Sequence, residues 1–190
     1  MSQPLFNQQE QKVLLQLARD SVEHGLLQGK PLEVNLQEFD SHLQEPGAAF
    51  VTLEKRSELR GCIGSVEAHR PLVEDIAENA WAAAFRDPRF SPVTRIEFFQ
   101  LHFEISVLTS PQPMQFESED DLKQQIVAGK DGLLIREGVQ RGLFLPAVWG
   151  KLPDVDSFLS HLKQKAGLSS NYWSDRIEIN RFYSFEFSDD

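Results

Sequence analysis

The chain has 190 residues, 41% of them hydrophobic and 25% charged, with a formal net charge of −10. This composition fits a single globular unit able to bury a core, and the acidic field opposes binding to a polyanion, which makes nucleic acid a poor partner. The single cysteine, Cys62, excludes an internal disulfide and any site built on paired cysteine ligands, and points to a reducing compartment.

Residues 1–11 hold no apolar run behind basic residues, and no stretch approaches about 18 consecutive apolar residues. A cytoplasmic protein without a membrane partner is expected. Residues 7–28 read as a helix, because Val13, Leu14, Leu17, Ala18, Val22 and Leu26 recur at three- and four-residue steps and Gly29 supplies a stop. A short amphipathic piece follows at 36–43. Pro46-Gly47 then opens a β run at 48–53, joined to a second at 59–66 by the four-residue connection 55–58.

Pro71 suits the first helical position, and Leu72, Val73, Ile76, Ala77, Ala80, Trp81 and Ala84 form one helical stripe that ends before Asp87-Pro88. Two prolines within 88–92 demand a structured turn. Strict alternation over 100–108 predicts a half-buried strand, and Ser118 with Asp121 predicts a helix reaching Ala128, closed by Gly129. Strands at 133–135 and 143–145 flank Arg136-Glu137-Gly138, a helix covers 156–166, and Ile177, Ile179, Tyr183, Phe185 and Phe187 finish the chain as one alternating strand. Hairpins mixed with helices, without regular βαβ order, give an α+β fold with a mostly antiparallel sheet and packed helices.

Charge is uneven along the chain. Residues 56–95 carry six of the eleven arginines and balance them with six acids, so the whole of the −10 lies elsewhere. Arginine reads carboxylate or phosphate bidentately, although a solvated helix face laced with ion pairs has the same composition. Phosphate-binding loops, the dinucleotide fingerprint, His-Glu-x-x-His, EF-hand loops and the nucleophile elbow are all missing. The five histidines are scattered, so the sequence proposes no metal and implies no cofactor.

What remains is Leu59-Arg60-Gly61-Cys62-Ile63-Gly64-Ser65. As a strand, it places Arg60, Cys62 and Gly64 on one face while Leu59 and Ile63 point to the core. A guanidinium beside a thiol favours thiolate, and Gly61 and Gly64 would let another molecule approach the backbone. His69 and His102 are the candidate bases, with Glu104 near Cys62 if the two strands are neighbours. Arg70, at the start of the Pro71 helix, is the candidate anion holder, joined by Arg86, Asp87 and Arg89. The plain alternative is a buried structural cysteine among surface ion pairs.

This heptapeptide, with Arg70-Pro71-Leu72, Ala84-Phe85-Arg86-Asp87-Pro88-Arg89-Phe90, Glu104-Ile105-Ser106-Val107-Leu108, Asp131-Gly132-Leu133, Gly142 through Trp149, and Leu162 through Trp173, resembles the AMMECR domain family. Its bacterial and archaeal members are called AmmeMemoRadiSam system protein A. Ala147 departs from the pattern, where many members have glutamine. The resemblance implies one domain over 1–190, with a larger and a smaller subdomain in one compact unit, the smaller expected largely from about 60–100. It also implies a protein that often crystallises as a homodimer and is associated with a Memo-type protein and a radical SAM enzyme in a modification pathway.

Two functions follow. In one, the protein is a binding or accessory module that presents Arg60, Gly61, Gly64, Ser65, Arg70, Arg86, Asp87 and Arg89 to a partner. In the other, Cys62 is the nucleophile or covalent carrier for an anionic small molecule, with His69 or His102 moving the proton.

Overall fold

Residues 5–189 are described by a computed structural model. Asn7 opens α1 (Gln8–Gln28) through a reciprocal capping box with Glu10, and Gly29 closes it in the left-handed region. Two single 3-10 turns, Leu36–Glu38 and Ser41–Gln44, occupy the expected amphipathic piece. β1 (Pro46–Lys55) and β2 (Glu58–Gly64) form a hairpin. Its loop has two residues instead of four, since Arg56 and Ser57 both take positive φ, the turn geometry that matches the twist of paired strands.

β3 (Arg70–Pro71) pairs with the start of β1, α2 (Leu72–Phe85) follows, and α3 (Arg95–Phe98) leads into β4 (Leu101–Leu108). β5 (Gln112–Pro113), α4 (Glu119–Gln125), β6 (Gly132–Glu137), β7 (Gln140–Phe144), α5 (Val155–Lys165), β8 (Glu178–Phe182) and β9 (Ser184–Ser188) complete the chain. α4 ends before Ala128, because the buried Asp131 carboxylate accepts the N–H of Val127 and draws the chain out of the helix. The terminal alternating run is two strands in two sheets. It breaks at Tyr183, whose N–H and C=O bond to Thr109.

The fold is α+β with antiparallel sheets, as the pattern of elements predicts. The chain divides into two units, one running through Leu108 and resuming at Phe185, the other spanning Thr109–Ser184. In the first, the order β2-β1-β4-β9, with β3 on β1, builds a sheet whose inner face (Ala49, Val51, Leu53, Phe103, Ile105) shares a core with α1 and α2. In the second, β5-β8-β6-β7 share a core with α4 and α5, where Trp149 stacks on Phe158 at 3.8 Å between centroids. Residues 60–100, expected as the smaller subdomain, lie in the larger unit instead, since β2 is hydrogen-bonded to β1 and α2 packs on that sheet.

Candidate functional site

The motif occupies the edge strand β2, and its register explains how its side chains are shared out. Leu53 pairs with Gly61 and Glu54 with Leu59, so Arg60 is the extra residue of a β-bulge. The bulge corrects the expected alternation. Arg60 is buried at 9% exposure, with Nε 3.1 Å and Nη2 3.2 Å from the Glu97 carboxylate and Nη2 donating to the Ser91 carbonyl at 2.8 Å, while Leu59 is 43% exposed instead of facing the core. The Arg60 hydrogen bonds, followed by those from Thr94 and Lys55, pull the Glu97 carboxyl down to about 2. Arg60 is therefore bound to an acid and is not the cation beside the thiol.

The glycines also differ from expectation. A Cβ on Gly61 would lie 2.1 Å from the Ala83 carbonyl oxygen of α2, and one on Gly64 would lie 2.2 Å from the Phe50 ring. The room they leave is filled by the protein itself, and a ligand does not enter there.

Ser65 and Arg70 are drawn to Asp75, which is fully buried in the first turn of α2. Asp75 accepts the Ser65 hydroxyl at 2.6 Å, the Ala49 N–H at 2.9 Å and an Asn79 amide hydrogen at 3.0 Å, with Arg70 Nε at 3.1 Å. Asn79 also donates to the Ala49 carbonyl and to Ser65 Oγ. Arg86 caps α2 and lies over the Trp81 ring at 5.1 Å, exposed.

Asp87, 4% exposed, accepts the Cys62 N–H at 3.0 Å and holds Arg89 by Nε at 3.0 Å, Nη2 at 2.7 Å and its backbone N–H at 3.1 Å. The Arg89 hydrogen bonds, with those from the backbone, hold the Asp87 carboxyl far below the usual carboxylate range against the cost of burial. The same pair raises the Arg89 guanidinium, and Cys62 contributes a smaller attraction. Arg89 also donates to the Cys62 carbonyl at 3.4 Å. It, not Arg60, is the arginine at the cysteine.

Because the Cys62 N–H goes to Asp87, Cys62 and Thr52 form a non-hydrogen-bonded cross-strand pair, the kind in which side chains come closest. The Thr52 hydroxyl donates to the half-buried Cys62 Sγ at 3.4 Å. Glu104 is opposite Thr52 on the other side, so Cys62, Thr52 and Glu104 form one row on the sheet face away from α1 and α2. β1 separates the two outer residues, so Glu104 is not a direct neighbour of the thiol. Burial, followed by repulsion from Glu186 and Glu54, pushes the Glu104 carboxyl up.

The imidazoles lie elsewhere. His69 is exposed with Nδ1 2.9 Å from the Glu67 carbonyl oxygen, and His102 is opposite Glu54, exposed, with Nδ1 3.7 Å from the Asp189 carboxylate. The hydrogen-bond partner of Sγ is a hydroxyl and not a ring nitrogen.

The residues that sequence reasoning missed are Thr52, Asp75, Asn79 and Glu97. Three left a signal: Asp75 and Asn79 sit one helical turn apart in a largely apolar stripe, and Glu97 belongs to Thr94-x-x-Glu97, a capping box, which the structure forms. Among the described residues no group of three or more His, Cys, Asp or Glu side chains is arranged to hold a metal ion, and no helix is long and apolar enough to cross a membrane.

Comparison with known proteins identifies relatives for this arrangement. The family model AMMECR1 matches residues 15–187. A protein of Methanothermobacter thermautotrophicus is 38% identical over 97% of both chains, and one of Sulfolobus acidocaldarius is 38% identical over 90% of this chain and 78% of its own. The crystal structure of the uncharacterized protein PH0010 from Pyrococcus horikoshii superposes with a TM-score of 0.90 at 33% identity, covering 97% of this chain and 94% of that one.

Proposed function

The chain belongs to the AMMECR1 family, and on that footing we propose that it is a binding or accessory component acting with a Memo-type protein and a radical SAM enzyme in a modification pathway. The observation that supports this reading is how the motif residues are used. Arg60, Gly61, Gly64 and Ser65 are all committed to holding the segment in place, whereas the Cys62 thiol is half-buried and the Arg89 side chain is 54% exposed. A pre-formed surface carrying one oriented cation suits recognition of an anionic group on a partner or small molecule, because little ordering remains to be done on binding.

The test is co-purification of the tagged protein with the Memo-type and radical SAM proteins of its own genome. Arg89→Glu abolishes capture and Cys62→Ser preserves it. Capture by Arg89→Glu at the wild-type level would sink the proposal.

The row Cys62–Thr52–Glu104 favours a second reading, a cysteine-dependent enzyme or covalent carrier acting on an anionic substrate. A hydroxyl donor stabilises negative charge on sulfur, and the Glu104 carboxyl at the far end of the row is pushed up by burial. Partner capture by Cys62→Ser is common to both readings, and the cellular readout separates them: under this one Cys62→Ser folds and captures its partners, yet fails to restore function in cells lacking the protein.

A further inference from the structure

The short helix α3 is pinned by its Thr94 capping box and by the Glu97 carboxylate, which holds both Arg60 and Lys55. Fixed in this way, it turns Phe98 inward and holds Ile96 and Phe99 out at 78% and 81% exposure. Leu27, from the last turn of α1, is 59% exposed, and Leu27, Phe98 and Phe99 line one concavity of about 150 Å³ where the end of α1 meets α3. Three large side chains at this exposure present on the order of 400 Å² of apolar surface, the size of patch that marks an interaction site on a soluble protein.

Size and charge together define what fits. The concavity is well under the roughly 300 Å³ at which small-molecule pockets begin, so it takes one bulky side chain of a larger partner. Glu23 and Arg95 line it as well, and neither has a hydrogen-bond or ion-pair partner among the described residues. Glu23 lies one turn before Leu27, and the C-terminus of α1 adds the negative end of its dipole, with no basic residue in the last turn and Lys30 beyond it drawn off to Glu33. This edge calls for a cation, and the Arg95 edge calls for a carboxylate. A base, an apolar anchor and an acid in one row is what a helix presents, because residues three and four apart share a face. An amphipathic helix laid into an apolar groove is a recurring mode of protein recognition.

We propose that the face formed by Glu23, Leu27, Arg95, Ile96 and Phe99 docks an amphipathic helix of another protein. The buried row of that helix runs from a basic residue beside Glu23, through a bulky apolar anchor between Leu27 and Phe99, to an acidic residue beside Arg95. The face uses neither Cys62 nor Arg89, so it stands or falls apart from the reading of that site.

The test uses a synthetic alanine-rich helix of about 18 residues, blocked at both ends, with lysine, phenylalanine and glutamate at successive four-residue steps. Its counterpart has the lysine and glutamate exchanged. Each is titrated to about 1 mM into the nitrogen-15-labelled full chain, and amide shifts report the site and the affinity. The first peptide shifts Leu27, Ile96 and Phe99 and binds about 5-fold tighter than its counterpart, the effect of two exposed ion pairs. Phe99→Asp weakens binding by roughly 30-fold or more, the effect of losing a central anchor. Glu23→Arg combined with Arg95→Glu inverts the preference between the peptides. All three positions are exposed, and unchanged circular dichroism and melting temperature verify folding in each variant. Absence of shifts at this face overturns the proposal, as does binding indifferent to Phe99→Asp or a preference that the double variant fails to invert. So does light scattering that gives the wild type the mass of two chains and Phe99→Asp the mass of one, because the face would then be filled by a second copy.

Discussion

Two arginine–carboxylate pairs flank the same edge strand and bury opposite partners. In Arg60–Glu97 the side chains are 11% and 20% exposed, so the cation is the more buried member and its anion comes from α3. In Asp87–Arg89 the anion is 2% exposed and the cation 54%. The first pair takes an arginine out of circulation to anchor a bulge. The second uses a buried carboxylate to fix a backbone N–H and to hold an arginine at the surface beside Cys62. Two arginines of the arginine-rich stretch 56–95 thus have unlike roles, decided by which member of the pair the fold covers.

The sharpest way to break this contrast is Arg60→Ala. Removing Arg60 strips Glu97 of its more buried cation, leaving it Lys55 and Thr94, and it also frees the Ser91 carbonyl and unseats the bulge. The expected loss is about 3 kcal/mol of unfolding free energy in urea at neutral pH. A loss below about 1 kcal/mol would show that the pair behaves as a surface salt bridge.

A smaller effect is expected at Asp87. Asparagine keeps an oxygen for the Cys62 N–H but loses the charge that holds Arg89, for a cost of about 2 kcal/mol. This cost depends on pH, with a defined sign. The Asp87 carboxyl is depressed in the folded protein, so its stabilisation is fully present above the ordinary aspartate value and is lost as pH falls toward the folded one. Urea unfolding at pH 6 and pH 3 therefore shows the difference between wild type and Asp87→Asn shrinking at the lower pH. A difference that stays constant would mean the carboxyl titrates normally.

The sequence made α1, α2 and β4 legible because each is a long periodic segment with its own start and stop, and it read the Arg60–Gly64 motif as a strand, which β2 is. It hid the bulge. Arg60-Gly61-Cys62 has the alternation of a regular strand, and only the pairing of Leu53 with Gly61 and Glu54 with Leu59 shows the extra residue. Glycines signal close approach without saying by what, and at Gly61 the visitor is the carbonyl of Ala83. The run from Ile177 to Phe187 keeps one period of two while serving two sheets, so periodicity could not mark the break at Tyr183. Long-range acceptors such as Asp75 and Glu97 read locally as helix-start acids, which they are, and nothing local reports the second strand they also bind.

The least costly change should be Arg89→Ala. Losing the guanidinium strips Asp87 of its cation, but the carboxylate keeps the backbone N–H groups of Cys62 and Arg89, and water reaches the place vacated by a side chain already 54% exposed. Those two donors and that solvent access limit the penalty to about 1 kcal/mol, within the range of exposed ion pairs. The same substitution removes the one cation that the structure sets against the Cys62 carbonyl. Arg89→Ala should therefore separate the two roles that Arg60→Ala cannot: a protein close to wild-type stability in urea that has lost its partners. If Arg89→Ala instead loses as much stability as Arg60→Ala, the two pairs are equivalent structural anchors, and the function of this surface has to rest on Cys62 and its row alone.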